Sequence, residues 1–352
     1  MLSTADARNS DVLLNEMRER EKNLGPFVFA SSRNEKNMFA SALTLALVRP
    51  PPVVVLPGFG NCDNDYKTPM GQPEDKGLCA ALRRRGFDDV TVVAVPRWEW
   101  LRVAGGLLDP LFWLCKQQPE GLAYGWYVRR ARETIDAANR RSNERVLVLA
   151  HSAGGWLARA SLGDGEWPSG ERTSSVVCGV VTLGAPHFPP PAGSPPCATR
   201  GALAFCDEQL PGALLASEGV VYVTVAGAAI TGNQQRPSDG AAAYDPTVPA
   251  REMLAGGGAA PTEADEVYAR RGEGSAARVA FTNYQALAGD GGALGDGVIP
   301  VACAHLEGAE QLTLEGVLHS INEAGTTLPT ERWYGSEAVV DRWLTRTLEL
   351  LK

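Results

Sequence analysis

The stretch LVLAHSAGGWLARA, Leu147 to Ala160, leaves a chain few ways to fold. A continuous apolar run enters it, small residues crowd its middle, and helical spacing resumes at once. A strand that becomes a helix within two or three residues must turn sharply, which forces the apex residue into an unfavourable backbone conformation. Only small residues two positions to either side let the chain pass. Here those are Ala150 and Gly154, flanking Ser152 in an A-x-S-x-G pattern, with Gly155 adding room. Two readings stand side by side at this point. Ser152 is either a nucleophile raised on a strained elbow or a serine that caps the following helix.

The rest of the chain supplies the context an elbow needs. PPVVVLPGFGN holds a short buried strand, Val53 to Leu56, that ends in Pro-Gly. LCAALRRRGF reads as a helix closed by Gly86, and VTVVAVP (Val90 to Pro96) as a second buried strand. WYVRRARETIDAANRR carries a helical stripe of Val128, Ala131, Ile135 and Ala138. RVLVLA, VVCGVVTLGAP, VVYVTVAGAAI and QLTLEGVLHS read as further strands. GGWLARASL, SAARVAFTNYQALAG and SEAVVDRWLTRTLELLK read as helices. Continuously apolar strands alternating with helices predict an α/β fold with a mostly parallel sheet covered on both faces. Residues 1–50 read as an N-terminal extension and 51–352 as one domain. Three segments break its rhythm and are expected as insertions: about 97–126, 187–219 and 232–277.

Composition narrows the partners. Forty-one acidic residues against 33 Lys and Arg give a net charge of −8, and no basic block interrupts the chain, so nucleic acid is not an expected partner. The seven cysteines are odd in number and form no C-x-x-C pair, which fits free thiols in a reducing compartment better than a disulfide framework, although Cys197 and Cys206 are near enough in sequence to pair. Asp6, Asp11, Glu16, Glu19 and Glu21 precede any long apolar run, unlike a secretory signal. The run Met38 to Val48 is too short to span a bilayer and reads as a buried helix or strand, with peripheral membrane contact as the alternative. These features point to a soluble intracellular protein. No metal or cofactor is called for.

A serine nucleophile needs a base, and the base an orienting acid. Of four histidines, His151 adjoins the serine on a turn that sends its side chain elsewhere, and His187 and His305 come too early. His319 follows the last strand and precedes the closing helix, so it is the expected base. LGDGVIPV places Asp296 between two glycines upstream of it; Asp290 is the other candidate acid. The order Ser152, Asp296, His319 suits this architecture. Two backbone amides are expected to receive a developing oxyanion: Ala153, at the helix start, and Phe59, in the turn between Gly58 and Gly60. Trp98, Trp100, Phe112 and Trp113 lie in an unusually aromatic insertion and are expected either to bind substrate or to pack on the domain body.

In these pieces the chain resembles the α/β-hydrolase superfamily, on its lipase/esterase side. VVVLPGFGN matches the oxyanion loop, LVLAHSAGGWLAR the elbow, GDGVIP the acid loop and LEGVLHS the histidine loop. AHSAGG and TLGAPH resemble lipase-like hydrolases of plants, algae and cyanobacteria, including plastid enzymes that cleave chlorophyll phytyl esters, and also the lipase-type fold of GPI inositol-deacylases. The resemblance implies a serine hydrolase acting on a lipophilic carboxylic ester, in cytoplasm or plastid. The alternatives are a thioesterase, amidase or acyltransferase using the same residues, or a non-catalytic scaffold of the same fold.

Overall fold

Strand β3 (Val146–His151) is buried at every residue, and its side chains alternate between two separate cores. Val146, Val148 and Ala150 face one; Leu147 and Leu149 face the other. That is why the strand shows no polar alternation: both its faces are covered. The computed structural model describes residues 50–234, 263–324 and 326–352, apart from 164, 166, 168, 169 and 195; in the helix that begins at 263 it describes side chains from 276 onward. The expected N-terminal extension and the Met38 to Val48 run lie outside the described residues.

Six parallel strands form the sheet in the order β2-β1-β3-β4-β5-β8. They are β1 (Val53–Leu56), β2 (Val90–Val92), β3, β4 (Val177–Leu183), β5 (Val221–Ala228) and β8 (Glu310–Glu315). Between the last two, β6 (Ile230–Thr231) and β7 (Leu294–Gly295) pair as a small antiparallel ribbon. Among the helices, α1 (Asn64–Lys67) is one turn long and α2 (Leu78–Arg84) follows it. Next come α3 (Gly125–Ser142), α4 (Gly154–Leu162) and α5 (Ala202–Gln209). The last two long ones are α6 (Glu263–Ala288) and α7 (Glu337–Leu350).

One core lies between the sheet and α3 and α4, built on Tyr127, Ile135, Trp156 and Leu157. The opposite core packs Leu78 and Leu82 of α2 with Val340, Trp343 and Leu344 of α7. Gly86 closes α2 with a φ of +90°, as its sequence position demands. The second strand is shorter than its apolar run. β2 ends at Val92 and is only partly buried, because it forms the sheet edge and the chain leaves it toward the aromatic insertion.

The insertion from 97 contains no strand; 3₁₀ turns over Arg97–Leu108 lead to a short helix, Pro110–Trp113. The 187–219 segment folds around α5 and is held to α4 by the buried Arg159 guanidinium. That group donates to the carbonyls of His187 at 3.1 Å, Cys206 at 3.0 Å and Leu210 at 2.6 Å. All seven cysteines are free, including Cys197 and Cys206. Among the described residues no helix is long and apolar enough to cross a membrane.

Topology selects where a site can form. From β1 the chain goes outward to β2, then returns to place β3 on the other side of β1. The carboxyl ends of β1 and β3 therefore flank the point where strand order reverses, the usual place for a crevice in an open parallel sheet. Their register is level, with Leu56 opposite Ala150. Helix α4 leaves this edge in near contact with the sheet. A Cβ on Gly155 would stand 2.2 Å from the Ala185 Cβ, and one on Gly154 2.5 Å from the Leu56 oxygen.

Gly155→Ala is therefore expected to lower the denaturant midpoint by an amount equivalent to about 1–3 kcal/mol. Gly292→Ala, whose Cβ meets nothing nearer than 3.5 Å, should stay within about 1 kcal/mol of the parent. Equal shifts for the two would contradict the close packing of α4.

Candidate active site

Ser152 has a φ of +54°, a left-handed conformation rare for a residue with a Cβ. Its amide donates to the Leu183 oxygen at 3.0 Å, which locks the turn onto β4. The capping alternative does not describe this residue. The N-cap position of α4 is Ala153, and no side chain caps the helix. The Ser152 hydroxyl lies instead 2.9 Å from His319 Nε2.

His319 sits on the loop after β8, with Nδ1 2.8 Å from Asp296 Oδ2. The carboxylate accepts, so Nδ1 carries the proton and Nε2 is left to accept from the serine. Asp296, on the loop after β7, is fully buried yet amply satisfied. Oδ1 accepts from the amides of Val298 at 3.0 Å and Ile299 at 2.7 Å. Oδ2 accepts also from the Tyr334 hydroxyl at 2.7 Å. Burial pushes this carboxyl up, but the adjoining His319 and these hydrogen bonds outweigh it and hold it below the ordinary aspartate value. The backbone is tied as well, since the His319 amide donates to the Asp296 oxygen at 2.9 Å. No space surrounds the carboxylate: a Cβ on Gly184 would come within 2.5 Å of Oδ2. Asp290, the other acid considered, is an exposed turn residue whose carboxylate accepts from the Gly292 amide.

The loop after β1 lies against the serine. A Cβ on Gly58 would stand 2.6 Å from the Ser152 Cβ, so only glycine permits this approach. Its peptide groups are pinned from outside. The Pro57 carbonyl accepts from the Tyr127 hydroxyl at 2.7 Å. The Gly58 amide donates to the Tyr66 hydroxyl at 3.1 Å. The Gly58 and Asn61 carbonyls accept from the Asn61 amide and the Trp100 indole. Among the described residues the amides of Phe59 and Ala153 have no acceptor.

These loops complete the pattern. The serine follows the third of the six sheet strands, the acid loop comes after the fifth, and the histidine follows the last. This is an α/β-hydrolase fold. No family model and no curated protein matches the chain. Among solved structures it is similar to the mature form of the lipase BlEst2 from Bacillus licheniformis, at 12% identity and a TM-score of 0.46, over 86% of this chain and 93% of that one. The propeptide form of that lipase gives 13% and 0.44, over 86% and 50%. Aspergillus fumigatus lipase B gives 16% and 0.28, over 57% and 44%. Strand order and the elbow carry the assignment of the fold.

The aromatic insertion divides. Trp100 is buried between Phe59, Trp126 and Tyr127, beneath the loop after β1. Phe112 is half-buried under the Arg200 guanidinium. Trp98 and Trp113 remain exposed, at 66% and 63%. Tyr334 and Tyr66 are site residues that the sequence does not announce. Each reaches its partner only through tertiary packing. Among the described residues no group of three His, Cys, Asp or Glu side chains could hold a metal ion.

None of the other three histidines bonds the serine. His305 bonds Thr224 and Thr313, and His187 bonds Thr182. His151 is buried behind the elbow. Burial, reinforced by His319 for one and Arg159 for the other, pulls the imidazoles of His151 and His187 down to about 3.

Both are therefore neutral in the fold and protonate in the unfolded chain below about 6.5. Their stability contribution is complete above that pH and is lost as pH falls from about 6.5 toward 3. By pH 5 the loss is about 2 kcal/mol per histidine. Denaturant titrations at pH 7, 6 and 5 should show the midpoint falling, with an uptake near two protons on unfolding. A midpoint independent of pH over this range would contradict the buried neutral histidines.

Proposed function

We propose that this protein is a serine hydrolase that cleaves a carboxylic ester of a lipophilic substrate through an acyl-enzyme. The single observation that carries the reading is the continuous hydrogen-bonded line from Ser152 Oγ through His319 to a buried, fully solvated-by-protein Asp296, at 2.9 and 2.8 Å. In this reading Ser152 attacks the ester carbonyl while His319 Nε2 takes its proton. Asp296 remains ionised and stabilises the imidazolium. The amides of Phe59 and Ala153 receive the oxyanion, with the N-terminus of α4 adding its dipole. Collapse of the tetrahedral intermediate breaks the ester C–O bond, and His319 returns the proton to the departing alcohol. Water then attacks the acyl-serine by the same route in reverse. None of these steps requires a cofactor or a metal.

A lipophilic substrate is supported by the exposed apolar side chains of the aromatic insertion. Leu101, Leu107, Leu108 and Leu114 are exposed together with Trp98 and Trp113. Phe59, on the loop after β1, is 60% exposed and packs on the buried Trp100 of the same insertion, with ring centroids 5.1 Å apart. Exposed apolar area of this kind marks a place where something apolar docks. In this reading it receives the alkyl part of the ester and makes peripheral contact with the lipid that contains it.

A fluorophosphonate probe is expected to label the protein, and Ser152→Ala to abolish labelling. Labelling that survives the substitution would remove Ser152 as the nucleophile, and an unlabelled parent would favour a non-catalytic scaffold. With p-nitrophenyl esters, kcat/KM should rise with chain length from acetate to octanoate. Trp113→Ser with Leu108→Ser should erase most of that rise and leave acetate hydrolysis within about twofold, because each lost apolar contact weakens only chains that reach it. A preference for acetate in the parent would sink the lipophilic assignment.

A further inference from the structure

Behind the elbow runs a second hydrogen-bonded line that the reaction scheme leaves unused. The Tyr66 hydroxyl is 3.0 Å from His151 Nδ1, and His151 Nε2 is 3.0 Å from the carbonyl oxygen of His319. A carbonyl can only accept, so Nε2 carries the His151 proton and Nδ1 must accept from Tyr66. The tyrosine oxygen is then free to accept the Gly58 amide, 3.1 Å away. Every proton in this line has one place to go: Gly58 N–H to Tyr66, Tyr66 O–H to His151, His151 N–H to His319. Both side chains in it, Tyr66 and His151, are buried.

The two ends of the line are the parts that must be held still. At one end, the bond to Tyr66 fixes the Gly58 amide and with it the plane of its peptide, next to the Phe59 amide, which has no acceptor among the described residues. At the other, the accepted proton holds the backbone of His319 itself. The middle is the residue before the nucleophile, whose ring lies 4.9 Å from the His319 ring. His151 also has Tyr334 and Trp333 packed around it, and Asp296 is the nearest carboxylate acting on it, through space.

We infer that Tyr66 and His151 are positioning residues that join the oxyanion loop to the backbone of the base, so that donor and base keep a fixed spacing about Ser152. The inference rests on the serine-hydrolase reading for its kinetic consequence, though not for its geometry.

Two side chains separate the halves of the line. The amide nitrogen of glutamine falls where histidine Nε2 stands, and an asparagine side-chain oxygen falls where Nδ1 stands. His151→Gln should keep the bond to His319 but lose the one from Tyr66, and so should lower kcat for a p-nitrophenyl ester about tenfold or more. His151→Asn and Tyr66→Phe should each lower kcat about tenfold or more with KM unchanged, as expected when an oxyanion donor or a base loses its placement. The double variant Tyr66→Phe with His151→Asn should be no slower than the slower single one, because the residues act as a unit. Multiplying losses, or a Gln or Asn variant within about threefold of the parent, would overturn the inference. The rate of fluorophosphonate labelling gives the same comparison without a second step.

Should the variants fail to fold, ¹⁵N-resolved spectra of the unsubstituted protein decide the geometry. His151 is expected as the neutral Nε2–H form, with a slowly exchanging proton, between pH 8 and 5. An Nδ1–H form would break the line and overturn the inference. If the parent shows the Nε2–H form yet neither labels nor hydrolyses, the catalytic reading has failed and the tie between the loops stands as structure.

Discussion

The site depends on one close approach, that of Gly58 to Ser152. Two parallel strands end level with each other, and the turns that leave them come nearer than any side chain at Gly58 would allow. The contact brings the loop that carries the Phe59 amide against the serine that precedes Ala153. That serine is held in a left-handed conformation. Strain of this kind persists only where neighbours over-determine it. Here the Leu183 carbonyl, the packed glycines of α4 and the loop after β1 do so from three sides.

The second requirement is a negative charge kept inside the protein. An isolated buried carboxylate would take up a proton. Asp296 escapes this because four donors surround it: two backbone amides, a tyrosine and the imidazole. Tyr334 is itself fixed by the Gly227 amide at 2.7 Å and by the α7 tryptophan Trp343, which donates to its carbonyl. The acid thus draws on the far core of the domain for its orientation. His151 meets the opposite demand, since burial keeps its imidazole uncharged.

Much of this was legible in the chain. An elbow is a local device, and its small residues are adjacent in sequence, so Ala150, Ser152 and Gly154 could be read together. Asp296 and His319 could be placed because each sits in a loop whose turn chemistry is local and because strand order limits which loops share an edge. Tyr66, Tyr334 and the inward turn of His151 could not be found that way. Their partners are 85, 38 and 168 residues distant, and nothing in their own neighbourhood differs from an ordinary core tyrosine or histidine. The aromatic insertion was legible as unusual, but not which indole would sink and which would stay in water. Trp100 is buried because a carbonyl and three rings await it; Trp98, two residues earlier, faces away. The strand from Val90 was read too long because an edge strand needs a pairing partner on one side only and can stop early.

The line joining Ser152 to His319 closes a loop of 167 residues. The histidine loop is carried by the strand at the far edge of the sheet, and α7, which seats Tyr334, is later still in the chain. In chain order the elbow comes first, while His319 and the tyrosine that bonds Asp296 come after every strand of the sheet. The line can therefore close only in a chain whose last quarter is in place, and with it the helix that covers the second core.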